Sequence, residues 1–450
     1  MRFINSRINN GLYPASGRML HFVPTVIKVS KLLLLLQYGV YFAVLLGVYI
    51  FFISPVYAYM GFVNTFNFDN LLFSILILLL VAPLISPGSL PSNFFLNLAI
   101  AIILTPTLVL YTAASLPHWY ALTTAFAIIL VALTAKISLL PPVRIAFIPS
   151  ARIMQFLLLF SVSVVGAIFL FGGARYLNFN LAAVYDFRRE AAQNLPGIFA
   201  YISPLVGKVV IPFGLVFAFR DRRWFFVALF SVLSFLFFGL TAHKSLIFYP
   251  ILVIFVYQIA GSRYLVQYFL LSLITILLVS GIDVWFLLNG AEGLSGWFTS
   301  LFTRRAVLVP SLLNWYYLDF FSNADKYFWA DSKVTFGLVK SPFDLRVAHL
   351  IGWEFFNKEG MSANTGWIGS GYANAGIWGV MLYSVAIGAL FALLDSYANR
   401  LGTRMVVSLF TLPVFTLLTS TDLLTMLLTH GLFFSIVLLA MINPTTQFKK

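Results

Sequence analysis

The chain has 450 residues, of which 61% are hydrophobic and only 9% charged. A soluble domain carries about 25% charged residues, so a soluble fold is excluded and an all-α polytopic membrane protein is expected. The net charge of +14 reads as a positive-inside bias rather than a nucleic-acid footprint, and the absence of cysteine removes disulfides, a thiol nucleophile and thiolate metal ligands.

The first 31 residues are basic, with Arg2, Arg7, Arg18, Lys28 and Lys31. No small-residue cleavage site follows the first apolar run, so that run is expected to be retained as an anchor. Apolar runs of spanning length then recur along the chain. They predict about twelve transmembrane helices: 32–54, 71–88, 95–115, 120–139, 153–172, 201–219, 224–242, 245–261, 264–287, 368–394, 405–420 and 424–442. With both termini inside, the inner segments hold sixteen Lys/Arg and only two acids, Asp221 and Asp395. The outer segments hold four Lys/Arg once the long polar loop is set aside, as the positive-inside rule requires.

Three outer segments carry candidate chemistry. The first, 173–200, contains Tyr185-Asp186-Phe187-Arg188-Arg189-Glu190 and could form a short interfacial helix. The second is the tight turn Thr241-Ala242-His243-Lys244-Ser245. The third, 290–367, is a polar island with seven acidic and seven basic residues and five of the nine tryptophans. The whole chain is expected to be one integral membrane domain.

Arginine binds phosphate through a planar fork and stays charged. Arg188, Arg189, Arg304 and Arg305 therefore suit a diphosphate headgroup at the bilayer surface, against the plainer reading of ion pairs or contacts with bulk lipid. Lys244 either snorkels to headgroups or adds to that phosphate site. Activation of a sugar hydroxyl needs a base within hydrogen-bond reach. Glu354, set in Gly352-Trp353-Glu354-Phe355-Phe356, is expected to be desolvated and is the leading candidate, with His349 as the alternative. Trp315, Tyr316, Tyr372 and Asn364 are candidates to line a sugar site, although most of the aromatics fit an interfacial belt equally. Gly371, Ala375 and Gly379, four apart, predict a close helix–helix packing stripe. No P-loop or metal motif appears, so no cofactor and no metal are expected. Ionisable residues within spans are scarce (Lys208, and Asp283 at a helix end), which argues against coupled transport.

Asn178-Phe179-Asn180 through Glu190, Arg220-Asp221-Arg222-Arg223-Trp224-Phe225, Ala242-His243-Lys244, Arg304 through Ser311 and Asn364 through Gly379 occur in an order that resembles bacterial O-antigen polymerases, the Wzy-type oligosaccharide repeat-unit polymerases. The resemblance covers residues 175–395 and implies a GT-C-like architecture in the bacterial inner membrane with a periplasmic active site. It implies a metal-independent glycosyltransferase of lipopolysaccharide biosynthesis that polymerises undecaprenyl-diphosphate-linked oligosaccharides. It assigns Arg188, Arg189, Arg304 and Arg305 to the two functional outer loops. Some family members carry glycine eleven positions after each loop arginine; here Phe199 and Ala200, and Trp315 and Tyr316, stand there. Besides these substrates and membrane lipids, a chain-length regulator protein is a candidate partner. The alternatives are an O-antigen ligase and a lipid-linked oligosaccharide flippase.

Overall fold

The computed structural model describes residues 22–137, 141–145, 148–179, 194–241, 243–291, 293, 295–330, 332, 335–358 and 360–443, with side chains from Ser30 onward. The described residues form helices and connecting turns, with no strand. In chain order the apolar helices are α1 (Ser30–Met60), α2 (Phe68–Leu84), α3 (Pro91–Ala113), α4 (His118–Ile137), α5 (Ser150–Leu170), α6 (Ile198–Arg220), α7 (Trp224–Thr241), α8 (Ser245–Ile259) and α9 (Leu265–Leu288). The polar island supplies α10 (Val309–Asn323) and α11 (Val347–Phe356). After it come α12 (Trp367–Leu401), α13 (Thr403–Thr419), α14 (Leu423–Leu428) and α15 (Leu432–Met441). Eight helices, α1, α3 to α7, α9 and α12, are long and apolar enough to cross a membrane; α2, α8, α13 and α15 are shorter. The chain thus has the character of a polytopic membrane protein.

Proline placement explains where these helices deform. Four π-helical stretches occur among the described residues, at Tyr49–Ile53, Ile100–Leu104, Val206–Val210 and Ser300–Leu308. Each is followed two positions on by a proline: Pro55, Pro106, Pro212 and Pro310. Proline lacks an N–H and its ring clashes with the carbonyl four residues earlier. Those carbonyls belong to Phe51, Ile102, Lys208 and Ala306, all inside the π stretches. The wider π turn moves each carbonyl off the clash and keeps the helix continuous.

Helix ends meet at two faces. At one, Arg404 of α13 donates to the Tyr257 carbonyl of α8 (2.7 Å), Gln267 of α9 donates to Ser30 of α1 (3.0 Å), and Arg220 of α6 donates to Ser150 of α5. Arg400 joins them, donating to the Leu439 carbonyl, so this face is basic. At the opposite face the Thr65 N–H donates to the Ala113 carbonyl (2.7 Å), and Trp119 packs on Trp315 (5.6 Å). On the basic face Asp395 of α12 accepts from both the N–H (2.8 Å) and the hydroxyl (2.5 Å) of Ser92, fastening the first turn of α3. Asp395→Ala is expected to cost about 1–3 kcal/mol, because it orphans two donors at once. Thermal unfolding in detergent checks this; an unshifted curve would mean that water takes over both bonds.

Two expectations are corrected. The segment 368–394 is not one straight span. Ala375 (φ −149°, ψ 29°) and Gly376 (φ 60°, ψ −142°) leave helical geometry, and 367–374 folds back along 377–401. The Trp367 indole consequently donates to Ser384, seventeen residues on, at 3.1 Å. A Cβ on Gly379 would lie 1.9 Å from the Gly371 carbonyl oxygen. The small residues therefore form the contact face of a helical hairpin within one helix's own sequence, not a stripe offered to a neighbour. The hairpin tip is fastened by the 327–329 turn, whose N–H groups donate to the Ala373 and Asn374 carbonyls (2.8 and 2.9 Å). Phe328 and Trp329 there adopt positive φ, a conformation that these bonds hold in place.

The second correction concerns the polar island, which is not wholly an outer loop. α10 is buried within the bundle from Pro310 to Asn314 and again from Tyr316 to Leu318. Ser311 donates to the Ile103 carbonyl in the middle of α3 (3.0 Å), and Tyr120 donates to the Ser311 carbonyl (2.7 Å). The island's charges leave the stretch from Ala306 to Leu318 free, and that stretch is apolar enough to enter the core.

Candidate phosphate and sugar site

Arg304 is the most unusual side chain on the face opposite the basic one. It is only 6% exposed, within the π stretch before Pro310. One terminal nitrogen donates to Ser300 (2.6 Å) and the other approaches the Met60 sulfur (3.3 Å). The guanidinium carbon lies 4.7 Å from the Tyr57 ring centroid, and Nε is buried with no hydrogen-bond partner. Arg304 makes no ion pair with a carboxylate among the described residues. Burial, then the neighbouring Arg305 charge, lowers the Arg304 pKa, but a guanidinium keeps its proton at neutral pH. The protein thus holds a desolvated cation with unused donor capacity, an arrangement that favours an incoming anion.

Arg305, next in sequence, is exposed. Lys244 is half-buried, with Nζ 5.2 Å from the Trp297 ring centroid. Trp297 begins the helical segment that carries Arg304, and Phe248 on α8 packs on Phe302 of that segment (5.0 Å). Lys244 therefore meets, through Trp297, the segment that carries Arg304. Arg188, Arg189 and the interfacial helix expected near them lie outside the described residues.

The sugar-lining candidates divide. Trp315 and Tyr372 are both half-buried and share a partner that the sequence did not single out, Trp119 at the start of α4. Trp119 lies 5.6 Å from Trp315 and stacks on Tyr372 at 6.3 Å. Lys326 Nζ sits 5.6 Å from the Tyr372 centroid. Asp319, one turn after Trp315 on the same helix side, has its pKa raised by burial, and burial lowers that of Lys326. This is an aromatic platform with a carboxyl group and an ammonium nearby. Tyr316 points elsewhere: it is buried, stacks on Phe355 (4.1 Å), and its hydroxyl fills the space beside Gly61. Asn364 is exposed.

Glu354 is exposed, so the expected desolvation is absent. Ile351, Gly352 and Phe355 turn α11 onto the bundle, and Trp353 and Glu354 consequently face outward. His349 is half-buried on the first turn of the same helix. α11 still reaches the arginine neighbourhood, through Phe355, Tyr316, Gly61 and Met60 in turn.

Beyond Trp119, the sequence reading missed Tyr57 and Asn314. The Asn314 side-chain oxygen accepts from the Gly369 N–H (3.0 Å) and the Thr365 hydroxyl (2.7 Å), tying α10 to the start of the hairpin. A polar residue in an apolar helix was the available signal for Asn314; Tyr57 and Trp119 had none. The chain matches no protein-family model, no curated protein and no solved structure.

Proposed function

We propose that this chain is a glycosyltransferase that polymerises oligosaccharide units carried on undecaprenyl diphosphate, an O-antigen polymerase of the inner membrane. The observation that carries the reading is Arg304, a buried guanidinium without a carboxylate partner among the described residues, at one end of a membrane-type bundle. Breaking the anomeric C–O bond to diphosphate places negative charge on the leaving group, and a preorganised cation in a low-dielectric site stabilises that charge. In this reading twelve apolar segments cross the bilayer in a GT-C-like arrangement, with α14 and α15 together forming the last. The basic face, with both termini, is cytoplasmic, and the Arg304 face is periplasmic. Arg305, Lys244, Arg188 and Arg189 supplement Arg304. The Trp119–Trp315–Tyr372 platform holds sugar. Glu354 or His349 takes the acceptor proton, with α11 moving relative to the bundle as substrate binds.

Trp315→Ala is expected to raise KM for the lipid-linked oligosaccharide about three- to tenfold with kcat little changed, as loss of a stacking surface should. A drop in kcat alone would assign Trp315 to the chemical step instead.

The overall test incubates purified protein with undecaprenyl-diphosphate-linked repeat units in the presence of EDTA and resolves the products by gel. A ladder of longer glycans is the expected result. No ladder from folded protein given its native unit would sink the polymerase reading, and a lipid A core acceptor would then test for a ligase. One observation favours a transporter as the second reading: Lys208 has a companion in the bundle interior, His430, and both lie at helix irregularities. Translocation of the lipid-linked unit across proteoliposomes, without glycan growth, would establish that alternative.

A further inference from the structure

A second guanidinium with unused donors, Arg400, lies on the basic face, at the other end of the bundle from Arg304. It sits in the last turn of α12 and is half-buried. Nη2 donates to the Leu439 carbonyl of α15, and the guanidinium carbon lies 5.4 Å from the Tyr397 ring centroid. Nε and Nη1 are buried with no hydrogen-bond partner, so most of the fork's N–H bonds are unused. A strap, 141–145, follows α4 in the chain and meets both helices. The Tyr397 hydroxyl donates to the Val143 carbonyl (3.1 Å), and the Ile145 N–H donates to the Ala440 carbonyl of α15 (3.4 Å). These two bonds hold the strap on either side of Arg144. Arg144 is exposed and near enough for its charge to act on Arg400.

Two like charges held together, one of them partly desolvated, destabilise the fold unless an anion joins them. Neither arginine has a carboxylate partner among the described residues. Asp221 and Asp395, the two acids that the sequence places at this face, are engaged elsewhere, by Arg220 (2.7 Å) and by Ser92. Residues 138–140, 146–147 and 444–450, next in sequence to these segments, contain no Asp or Glu. Water would satisfy the free N–H groups but leave the repulsion; an anion answers both. The flanks indicate which anion. Val143 and Ile145, on either side of Arg144, are 58% and 59% exposed, and Ile137 at the end of α4 is 78% exposed. Apolar flanks are wasted on a free phosphate ion but suit the glycerol and first acyl carbons of a lipid. The site also lies at the end of a membrane-type helix, at headgroup level, where basic pockets between helices bind anionic headgroups.

We infer that the junction of α12, α15 and the strap 141–145 binds the headgroup of an anionic phospholipid, with its phosphate between Arg400 and Arg144. On binding, the Arg400 fork turns its unpaired N–H groups to the phosphate oxygens while Nη2 keeps the Leu439 carbonyl. The bound lipid fastens the strap to the ends of α12 and α15. The site is separate from Arg304 and does not require the transferase reading.

The test follows the melting temperature of the full chain in dodecyl maltoside, a phosphate-free detergent, as phosphatidylglycerol, phosphatidylcholine or inorganic phosphate is added. Phosphatidylglycerol is expected to raise it by about 2–5 °C at saturation. Phosphatidylcholine, whose headgroup has no net charge, should raise it by less than about half as much. Arg400→Gln should increase the phosphatidylglycerol concentration for half-effect about tenfold, as loss of a charged hydrogen-bond donor does. Arg144→Gln should increase it about fivefold; Arg144 is exposed, so this variant keeps the test valid if Arg400→Gln fails to fold. Arg222→Gln and Arg263→Gln remove exposed cations on other turns of the same face. They should stay within about twofold of the wild type, which separates one site from the general pull of a basic face. The inference is overturned if phosphatidylcholine matches phosphatidylglycerol, or if all four variants weaken the effect equally. It is also overturned if inorganic phosphate alone reproduces the shift with the same dependence on Arg400 and Arg144, since the ligand is then free phosphate and not a lipid.

Discussion

Arg304→Ala is expected to slow glycosyl transfer by about 10²–10³-fold, the usual loss when one preorganised charge-stabilising group is removed, while the protein stays folded. The stability half of this prediction is the more discriminating. In the absence of substrate Arg304 is a desolvated charge, held by Ser300, Met60 and the Tyr57 ring, with Nε unpaired. An unneutralised buried charge destabilises the fold that contains it. Its removal should therefore leave the melting temperature unchanged or raise it, even though alanine leaves a gap. A residue kept for structure would show the opposite pattern, with stability and activity falling together. Arg304→Lys should recover only part of the rate, because an ammonium is a point charge without the planar fork. A stable Arg304→Ala protein that polymerises at the wild-type rate would remove the phosphate role altogether.

Gly379→Val is expected to abolish the native bundle. Its Cβ would sit 1.9 Å from the Gly371 carbonyl oxygen, and the obstacle is backbone, which cannot rotate away. Gly366 is similarly placed, with an added Cβ 1.9 Å from the Leu418 carbonyl oxygen. Overpacking of side chains costs about 1–3 kcal/mol when neighbours adjust; here the two arms of the hairpin would have to separate. That separation would withdraw Gly369 from Asn314 and Trp367 from Ser384, so the loss spreads to α10. Gly47→Ala and Gly166→Ala are the controls, since nothing lies within 4 Å of an added Cβ at either. Both should be neutral or gain up to about 1 kcal/mol of helix propensity. Size-exclusion profiles and melting curves in detergent separate the cases. If Gly379→Val behaves like the controls, 367–401 is a straight helix and the hairpin is wrong.

The site was legible in parts that follow from chemistry rather than from position. Paired arginines in a polar island drew attention to Arg304, but its burial could not be read, because the charge of Arg305 beside it looks identical in sequence. Glu354 shows the reverse error. Its apolar neighbours implied desolvation, yet alternate residues on a helix face different ways, and Glu354 fell on the outward side. Trp315 and Tyr372 were named as separate candidates; only the approach of Trp119, some two hundred residues earlier, makes them one surface. Lys208 is, with Asp283 at a helix end, one of the few ionisable residues within the spans, and Pro212, four residues later, is the signal in the sequence that its turn would open.

By itself the sequence determined the class of protein, the positions of the apolar helices and the segments in which polar chemistry could sit. Composition decides those, since about twenty apolar residues in a row have only one low-energy environment. The tertiary structure alone decided which faces are buried, where α12 doubles back, that α10 enters the bundle, and that Lys208 and His430 share a cavity. The reason is that lipid is as apolar as a protein core. In a membrane-type helix the outward and inward faces carry the same kinds of residue, as the exposed Leu36, Leu79 and Phe156 beside the buried Leu34, Ile77 and Leu157 illustrate. The pattern that tells inside from outside in a soluble helix is absent, and only packing between distant segments supplies it.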